Sequence, residues 1–222
     1  MSTSPNRPFT ALEVADYERR RYRGLDQRLV HRREVRILRD FLRAAQPIRP
    51  ARVLDMPCGY GRFTRLFEED GTRTVAGDFS PAMVEKARSR PGQPPPPLGV
   101  VTDAKRGLPF LDGAFGLVFS VRFFHHLREA EHRRAVMSEL ARVSSGWAVI
   151  SYYRLNILHR WQRALRRAVK RSRTRISMIA ASEFREEAER AGFRVVKSRA
   201  LIPGLHAQRF VLLRKLEVKT KA

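Results

Sequence analysis

The sequence predicts an α/β fold whose core is a doubly wound, mostly parallel sheet of seven strands, with helices added at the N-terminus. Between residues 51 and 153, short apolar segments typical of strands alternate with segments of helical periodicity. This alternation favours parallel strand pairing with helices on both faces of the sheet. Near the end, a predicted helix closed by Gly192 is followed by two strands with a short connection. These two strands predict an antiparallel hairpin at the sheet edge, with the last strand reversed.

The predicted elements divide the chain into a helical extension and one α/β domain. Residues 11–46 carry apolar side chains at helical spacing, and this pattern stops at Pro47 and Pro50. We expect residues 1–46 to form the extension and residues 47–222 to form the domain. The predicted strands are residues 52–55, 72–77, 98–102, 115–121, 147–153, 193–200 and 209–214. The predicted helices of the domain are residues 62–69, 81–88, 130–143 and 182–191.

The composition suits a single soluble domain and raises the question of an anionic partner. The chain has 222 residues and a formal net charge of +23, which favours contact with nucleic acid or an acidic membrane surface. A chain-wide preference for arginine is the alternative source of this charge. The lone cysteine, Cys58, cannot form an intramolecular disulfide, and the sequence carries neither a secretory signal nor an apolar membrane span. We expect a cytoplasmic protein, or one peripheral to the inner face of a membrane.

The turn after the first predicted strand carries a candidate binding site. Asp55 closes this apolar strand, and Gly59 and Gly61 follow in the turn. Glycines let the backbone bend sharply and let a ligand approach closely, and the next helix offers free N–H groups. A dinucleotide site would need a third glycine where Thr64 stands. Asp55 would also repel a pyrophosphate, whereas it suits a cationic ligand such as S-adenosylmethionine (SAM), which carries an ammonium and a sulfonium.

Two further acids follow the next two predicted strands. Asp78 closes the second strand, where a carboxylate can accept hydrogen bonds from the ribose hydroxyls of an adenosine. Asp103 follows the third strand and could accept a hydrogen bond from the adenine amino group. Together with Asp55, these acids are expected to converge at the carboxyl ends of the strands, where open α/β sheets bind ligands. The alternative is that the acids cap strand ends, which applies most to Asp103, and that the glycines form an ordinary tight turn.

Three segments together resemble the class I SAM-dependent methyltransferases. Residues 53–63 are similar to that family's glycine motif, D-x-G-x-G-x-G, with Pro57 in place of the first glycine, and residues 77–83 resemble its G-x-D-x-S-x-x-M motif. Residues 103–120 are similar to a stretch of the methyltransferase type 11 branch, with Gly116 in place of its usual aspartate. The resemblance covers about residues 50–153 and implies a Rossmann-like methyltransferase fold with SAM as cofactor.

The resemblance also implies how the site residues would hold the cofactor. Asp55 and the backbone of residues 59–61, which include Gly59 and Gly61, would face the methionine end. Asp78 would hold the ribose, with Phe79 beside the adenine and Asp103 on its amino group. The remaining predicted contacts are Cys58 and Ala104 in the same loops, and Ser120 near the reacting end.

Catalysis of methyl transfer does not require a dedicated residue, because orientation and proximity supply much of the acceleration. A base is needed only when the acceptor must lose a proton. His125 and His126 follow the fourth predicted strand and are the candidates for this base. The alternative is that paired histidines at a strand–helix junction cap or pack the turn.

A basic segment lies between the fifth predicted strand and the last predicted helix. Residues 154–175 contain nine Lys or Arg and no acid, with Ile157, Leu158, Trp161 and Leu165 on one helical stripe. A basic amphipathic helix of this kind suits an anionic membrane surface and would bring the domain to a lipid-soluble acceptor. Contact with RNA phosphates is one alternative. The other is that the stripe packs on the domain and the arginines are solvated.

These observations combine into one functional prediction with two alternatives. We expect a SAM-dependent methyltransferase that acts on a small-molecule or lipid-like acceptor, without a metal site. An RNA methyltransferase is the first alternative, because of the charge. A non-catalytic SAM-binding partner protein is the second.

Overall fold

Two helices precede the α/β domain. The computed structural model describes residues 8–21, 25–45, 52–64, 66–67, 72–89, 97–155 and 177–216. The predicted helical extension consists of α1, Ala11–Arg21, and α2, Leu25–Ala44, while residues 22–24 and 46–51 lie outside the described part. In α2, Leu38 and Phe41 are fully buried against one face of the sheet. The helical spacing of the apolar residues therefore reflects packing on the domain.

The domain is a seven-stranded sheet. Its strands are β1 (Arg52–Asp55), β2 (Arg73–Asp78), β3 (Leu98–Val101), β4 (Phe115–Ser120), β5 (Ser144–Tyr153), β6 (Phe193–Ala200) and β7 (Gln208–Lys215). They lie in the order β3-β2-β1-β4-β5-β7-β6, with the first five parallel and β7 antiparallel to both of its neighbours. The predicted doubly wound sheet with a reversed last strand is thereby confirmed. Because the chain leaves β1 toward β2 on one side and β4 lies on the other, the switch point of the topology is at the carboxyl end of β1.

In the described part of the chain, three helices connect the strands after β2. They are α3 (Pro81–Arg88), α4 (Ala130–Val143) and α5 (Ala181–Arg190). α3 begins where the sequence predicts, because the Ser80 hydroxyl accepts a hydrogen bond from the backbone N–H of Met83 at 3.4 Å and Pro81 occupies the first turn. β5 begins three residues earlier than predicted, at Ser144, which pairs with Phe115 of β4 directly after α4 ends.

Two predicted helices differ from the structure or lie outside it. Residues 64, 66 and 67, within the helix predicted over residues 62–69, form a tighter 3-10 turn in which the Leu66 N–H donates to the Phe63 carbonyl at 2.9 Å. Phe63 and Phe67 both pack edge-on against Phe119 of β4, and this packing favours the short turn over an α-helix. Of the basic segment 154–175, residues 156–175 lie outside the described part. Among the described helices, none is long and apolar enough to cross a membrane.

The core has two layers because successive strand residues point to opposite faces of the sheet. Leu54 of β1 packs in the cluster that α4 and α5 cover. Val53, its neighbour in the strand, packs in the cluster that α2 covers. A smaller cluster lies over the turn that follows β1, where Val14 of α1 packs with Tyr60 and Met83. The N-terminal extension therefore contacts the predicted cofactor loop directly.

Candidate cofactor site

The predicted glycine turn lies at the carboxyl end of β1, next to β2 and β4. Gly59 and Gly61 have φ values of +53° and +74°, a region that favours glycine. A Cβ on Gly61 would lie 2.9 Å from the Cα of Ala87 in α3, so this residue must be small for the helix to pack against the turn. A Cβ on Gly59 would meet no atom within 4 Å among the described residues, so the backbone there is accessible to a ligand.

Asp78 joins this turn to the start of α3. Its carboxylate accepts hydrogen bonds from the backbone N–H groups of Gly59 at 3.0 Å and Ser80 at 2.9 Å. Burial raises the pKa of the Asp78 carboxyl, and the hydrogen bonds from Ser80, Gly59 and Phe79 partly oppose that rise. The side chain therefore holds two loops together at the position where the sequence predicts a ribose-binding acid.

Asp55 is a buried acid at the end of β1. It is 3% exposed, and its Oδ2 has no hydrogen-bond partner among the described residues. Its pKa is raised well above the usual range, first by burial and then by the charge of Asp78. A cation beside this carboxyl would favour its ionised form, and the ammonium of SAM is such a cation. The chemistry of this hydrogen-bond acceptor fits the cofactor that the sequence predicts.

Phe79 and Asp103 differ in how directly they are available to a ligand. Phe79 is 45% exposed, which leaves its ring accessible for stacking. Asp103 caps the turn after β3: its Oδ1 accepts a hydrogen bond from the backbone N–H of Lys105 at 3.0 Å, and its Oδ2 lies 3.9 Å from Lys105 Nζ. The capping alternative therefore describes the Asp103 carboxylate in this structure. Ala104 is buried in the core beneath the same turn.

Cys58 supports the turn from within. Its side chain packs with Ala76, Val84 and Ala87, and its thiol donates to the carbonyl of Gly59 at 3.3 Å. Burial raises the pKa of this thiol, so it stays protonated and is a poor nucleophile. Its backbone N–H donates to the Gly77 carbonyl at 2.7 Å, so its carbonyl, which accepts from the Gly61 N–H at 3.1 Å, is the group left for the predicted contact with the cofactor.

Ser120 ends β4, one residue beyond Phe119, which pairs with Asp55 at the end of β1. Its side chain is fully buried, and its Oγ has no hydrogen-bond partner within the described part of the chain. Unpartnered buried polar atoms are costly and uncommon in folded proteins. Asp55 and Ser120 together thus present two such atoms at the switch point, which is the place where a polar ligand would restore their hydrogen bonds.

The candidate bases lie in a short 3-10 turn after β4, Phe124–His126. The ring of His125 lies 4.0 Å from that of His126 and 4.7 Å from that of Tyr153, which ends β5. His206, just before β7, lies 5.9 Å from Tyr153. Desolvation lowers the pKa of His126, which keeps its ring neutral and able to accept a proton. These four rings, His125, His126, Tyr153 and His206, are called the aromatic rim below.

Sequence reasoning missed a buried ion cluster on the other side of the turn. Glu34 of α2 is fully buried and pairs with Arg62, which follows Gly61, and with Arg122, which follows β4. The one available signal was the position of Glu34 between Val30 and Leu38, because these residues share the stripe of α2 that packs on the sheet. The spacing of residues in the sequence did not indicate that Arg62 or Arg122 would pair with Glu34.

The comparisons with known proteins agree with this geometry. Residues 53–145 match the model of a methyltransferase domain family. A mouse protein described as "Probable tRNA methyltransferase 9B" is 26% identical over 140 residues, which are 58% of this chain and 29% of the mouse protein. The chain thus spans less than a third of the length of that relative.

Solved structures share the fold across nearly the whole chain. Magnesium protoporphyrin IX methyltransferase from Synechocystis PCC 6803, with bound S-adenosylhomocysteine, has a TM-score of 0.72 at 16% identity and covers 90% of this chain and 94% of its own. A chain from the complex that contains the Haloferax volcanii Trm112 methyltransferase activator has a TM-score of 0.66 at 20% identity, covering 95% and 99% of the two chains. Residues 53–145 therefore match a methyltransferase domain, and the chain has the fold of solved methyltransferases, in agreement with the glycine turn, the three acids and the reversed last strand.

Proposed function

We propose that the protein transfers the methyl group of SAM to a small-molecule or lipid-like acceptor bound at the aromatic rim. The observation that carries this proposal is the place of the rim, which follows β4 and β5 at the same end of the sheet as Asp55 and Ser120. An acceptor seated there would lie next to the methionine end of the cofactor.

The chain's own residues would bind and orient the two substrates. SAM supplies an electrophilic methyl group on its sulfonium. Asp55 would pair with the ammonium of the cofactor, Asp78 would accept hydrogen bonds from the ribose, and Phe79 would stack beside the adenine. Asp103 would complete the adenine contact once its carboxylate turns from Lys105. Holding both substrates in line provides most of the acceleration.

His126 or His125 would accept a proton from an acceptor that must lose one. The lowered pKa of His126 keeps a neutral ring available near pH 7. Its position in the aromatic rim lets the same ring contact a planar or apolar acceptor. An acceptor that is already nucleophilic would need only the positioning role of these rings.

The lipid-like nature of the acceptor is supported by the charge of the chain. The formal net charge is +23, and the basic residues 154–175 connect β5, which ends in the aromatic rim, to α5. A basic amphipathic segment in this place would bring the crevice to an anionic membrane surface. We propose that the protein works in the cytoplasm at the inner face of a membrane, with residues 1–46 as an extension of one catalytic domain.

Methyl transfer from radiolabelled SAM into a cell extract tests this proposal. We expect label in the fraction extracted by organic solvent, lost in the Asp78→Ala variant and reduced in His126→Ala. The variant Asp112→Ala, at the opposite end of the sheet, is the control that should retain the label. Label found only in RNase-sensitive material would reject a lipid-like or small-molecule acceptor.

An RNA acceptor is the second candidate, favoured by the name of the mouse relative and by the exposed face of α2. That face carries Arg28, Arg32, Arg33, Arg36, Arg39 and Arg43. A row of guanidinium groups can follow a phosphate backbone. The same extract assay separates the two candidates, since RNase treatment would release the label from RNA and leave a lipid product unchanged.

A further inference from the structure

Glu34 is a buried acid outside the residues assigned above to the cofactor. It lies in α2, and its Oε1 accepts hydrogen bonds from Arg122 Nε at 3.0 Å and Arg122 Nη2 at 2.6 Å. Its Oε2 accepts a hydrogen bond from Arg62 Nη2. Arg62 follows Gly61 of the cofactor turn, and Arg122 lies two residues beyond Ser120. One carboxylate therefore ties the N-terminal extension to both segments that form the crevice.

The turn that holds Arg122 depends on these contacts. Arg122 has a φ of +64°, which is disfavoured for a residue with a side chain and persists only where the surroundings impose it. Its backbone N–H donates to the Ser151 hydroxyl of β5 at 2.7 Å, and its guanidinium is held by Glu34. Because Ser120 and Arg122 share this turn, Glu34 helps to set the position of the Ser120 hydroxyl in the crevice.

Arg62 is held on three sides and keeps one polar atom unused. Its Nε and Nη2 lie 3.2 and 3.0 Å from His31 Nδ1, and its guanidinium lies 4.9 Å from the ring centroid of Phe63. Its Nη1 is buried and has no hydrogen-bond partner among the described residues. Asp55 Oδ2, at the start of the turn, is likewise buried and has no hydrogen-bond partner among the described residues. Opposite charges with unused hydrogen-bonding capacity thus bracket the turn, which suits a zwitterion such as an amino acid.

We propose that Glu34 is a positioning residue for the amino-acid half of the cofactor, so that α2 is a working part of the cofactor site. It holds Arg62 and Arg122 in one arrangement around the turn, while the adenosine half depends on Asp78 and Phe79 at β2. This inference rests on the use of SAM by the domain and is independent of the identity of the acceptor. It predicts that the two halves of the cofactor respond differently to changes at Glu34.

Binding of two ligands to the full chain tests the proposal. S-adenosylhomocysteine contains the amino-acid half, whereas 5′-methylthioadenosine lacks it. By titration calorimetry, Glu34→Gln should weaken S-adenosylhomocysteine about tenfold or more, because charged hydrogen bonds are lost. The affinity for methylthioadenosine should stay within about twofold of the native value. A change of that size is smaller than the loss of one charged hydrogen bond would cause. Equal losses for both ligands, or no loss for either, would overturn the proposal.

A matched control separates positioning from general destabilisation. Glu187 of α5 is also buried and pairs with a buried arginine, Arg133, on the other face of the sheet. Glu187→Gln should destabilise the fold without changing the affinity for either ligand. Should Glu34→Gln fail to fold, Arg122→Lys tests the same contact, since lysine keeps the charge and loses the paired donors. A native protein that binds no S-adenosylhomocysteine would instead reject the proposed function itself.

Discussion

The two ends of the sheet differ in whether their buried polar atoms all have partners, and the end where the parallel strands begin is built for stability. There the guanidinium of Arg142 donates to the carbonyl oxygens of Phe110 at 2.7 Å and Leu108 at 2.9 Å. It also pairs with Asp112 and Glu139, each at 2.8 Å. The hydrogen bond from Arg142 lowers the pKa of the Glu139 carboxyl. Every member of this network has partners within the protein.

The carboxyl end leaves buried polar groups without partners. Asp55 Oδ2, Thr64 Oγ1 and Ser120 Oγ have none among the described residues. Trp147 Nε1 is a similar atom elsewhere in the sheet, but among the described residues several such atoms gather at the crevice, beside the half-buried backbone of Gly59. A folded protein retains such groups where a ligand uses them, at a cost in stability. We infer that the residues at the first end stabilise the fold, whereas the unpartnered residues at the carboxyl end bind the cofactor.

The largest effect is expected from Gly61→Ala, compared with Gly192→Ala. Both glycines have a positive φ, but a Cβ at Gly61 would lie 2.9 Å from the Cα of Ala87, whereas a Cβ at Gly192 meets nothing within 4 Å. We expect Gly61→Ala to cost about 3 kcal/mol of unfolding free energy and Gly192→Ala about 1 kcal/mol. Chemical denaturation measures both. Equal costs would mean that the cofactor turn is no more tightly packed than a helix terminus.

The stability added by S-adenosylhomocysteine should disappear in Asp78→Ala. At about 100 times the dissociation constant, binding adds roughly 2.7 kcal/mol, which is about 5–11 °C of melting temperature for a chain of this size. Asp78 supplies the acceptor for Gly59 and Ser80, so its loss loosens the turn as well as removing a ribose contact. Thermal unfolding with and without the ligand gives the answer. A full shift in the variant would show that the ribose is held elsewhere.

The part of this site that the sequence could predict is the part that lies in continuous segments. Asp55, the two glycines and Asp78 follow strands whose ends are marked by their own residues, and α3 starts at Ser80 and Pro81 as expected. Strand ends and helix caps are local, so neighbouring residues reveal them.

The missed features depend on contacts between distant segments. The Glu34 cluster joins residues 34, 62 and 122, and only the folded chain brings these together. The short turn at residues 64–67 follows from the packing of Phe63 and Phe67 on Phe119, which overrides the local preference for a helix. Asp103 shows the opposite case, because a capping role that was visible in the sequence describes its carboxylate in the structure.

A smaller effect, confined to stability, is expected at the opposite end of the sheet. Arg142→Ala should lower the free energy of unfolding by about 1–2 kcal/mol, because it leaves two carbonyl oxygens and the Glu139 carboxylate without their donor. The melting-temperature shift produced by S-adenosylhomocysteine should equal that of the native protein. A reduced shift in this variant would contradict the division between the two ends.

The smallest effect is expected from Asp55→Asn in the absence of ligand. This variant tests the difference between the two ends of the sheet most directly. The raised pKa of Asp55 means that its contribution to stability is present below the unfolded-state value and is lost as pH rises through the folded-state value. At pH 8, far above the pKa of the unfolded-state carboxyl, this buried acid therefore lowers the free energy of unfolding relative to a neutral side chain. The amide should raise the free energy of unfolding by about 1 kcal/mol, or roughly 2–4 °C. This gain should shrink as the pH falls.

The pH dependence of ligand binding by the native protein should also report the ionisation of Asp55. An ammonium selects the ionised form of Asp55, so the affinity for S-adenosylhomocysteine should increase with pH through the pKa of that carboxyl. Asp55→Asn should bind weakly at every pH and lose this dependence. A variant that is both less stable and still able to bind would mean that Asp55 holds the fold, and the two ends of the sheet would then not differ in purpose.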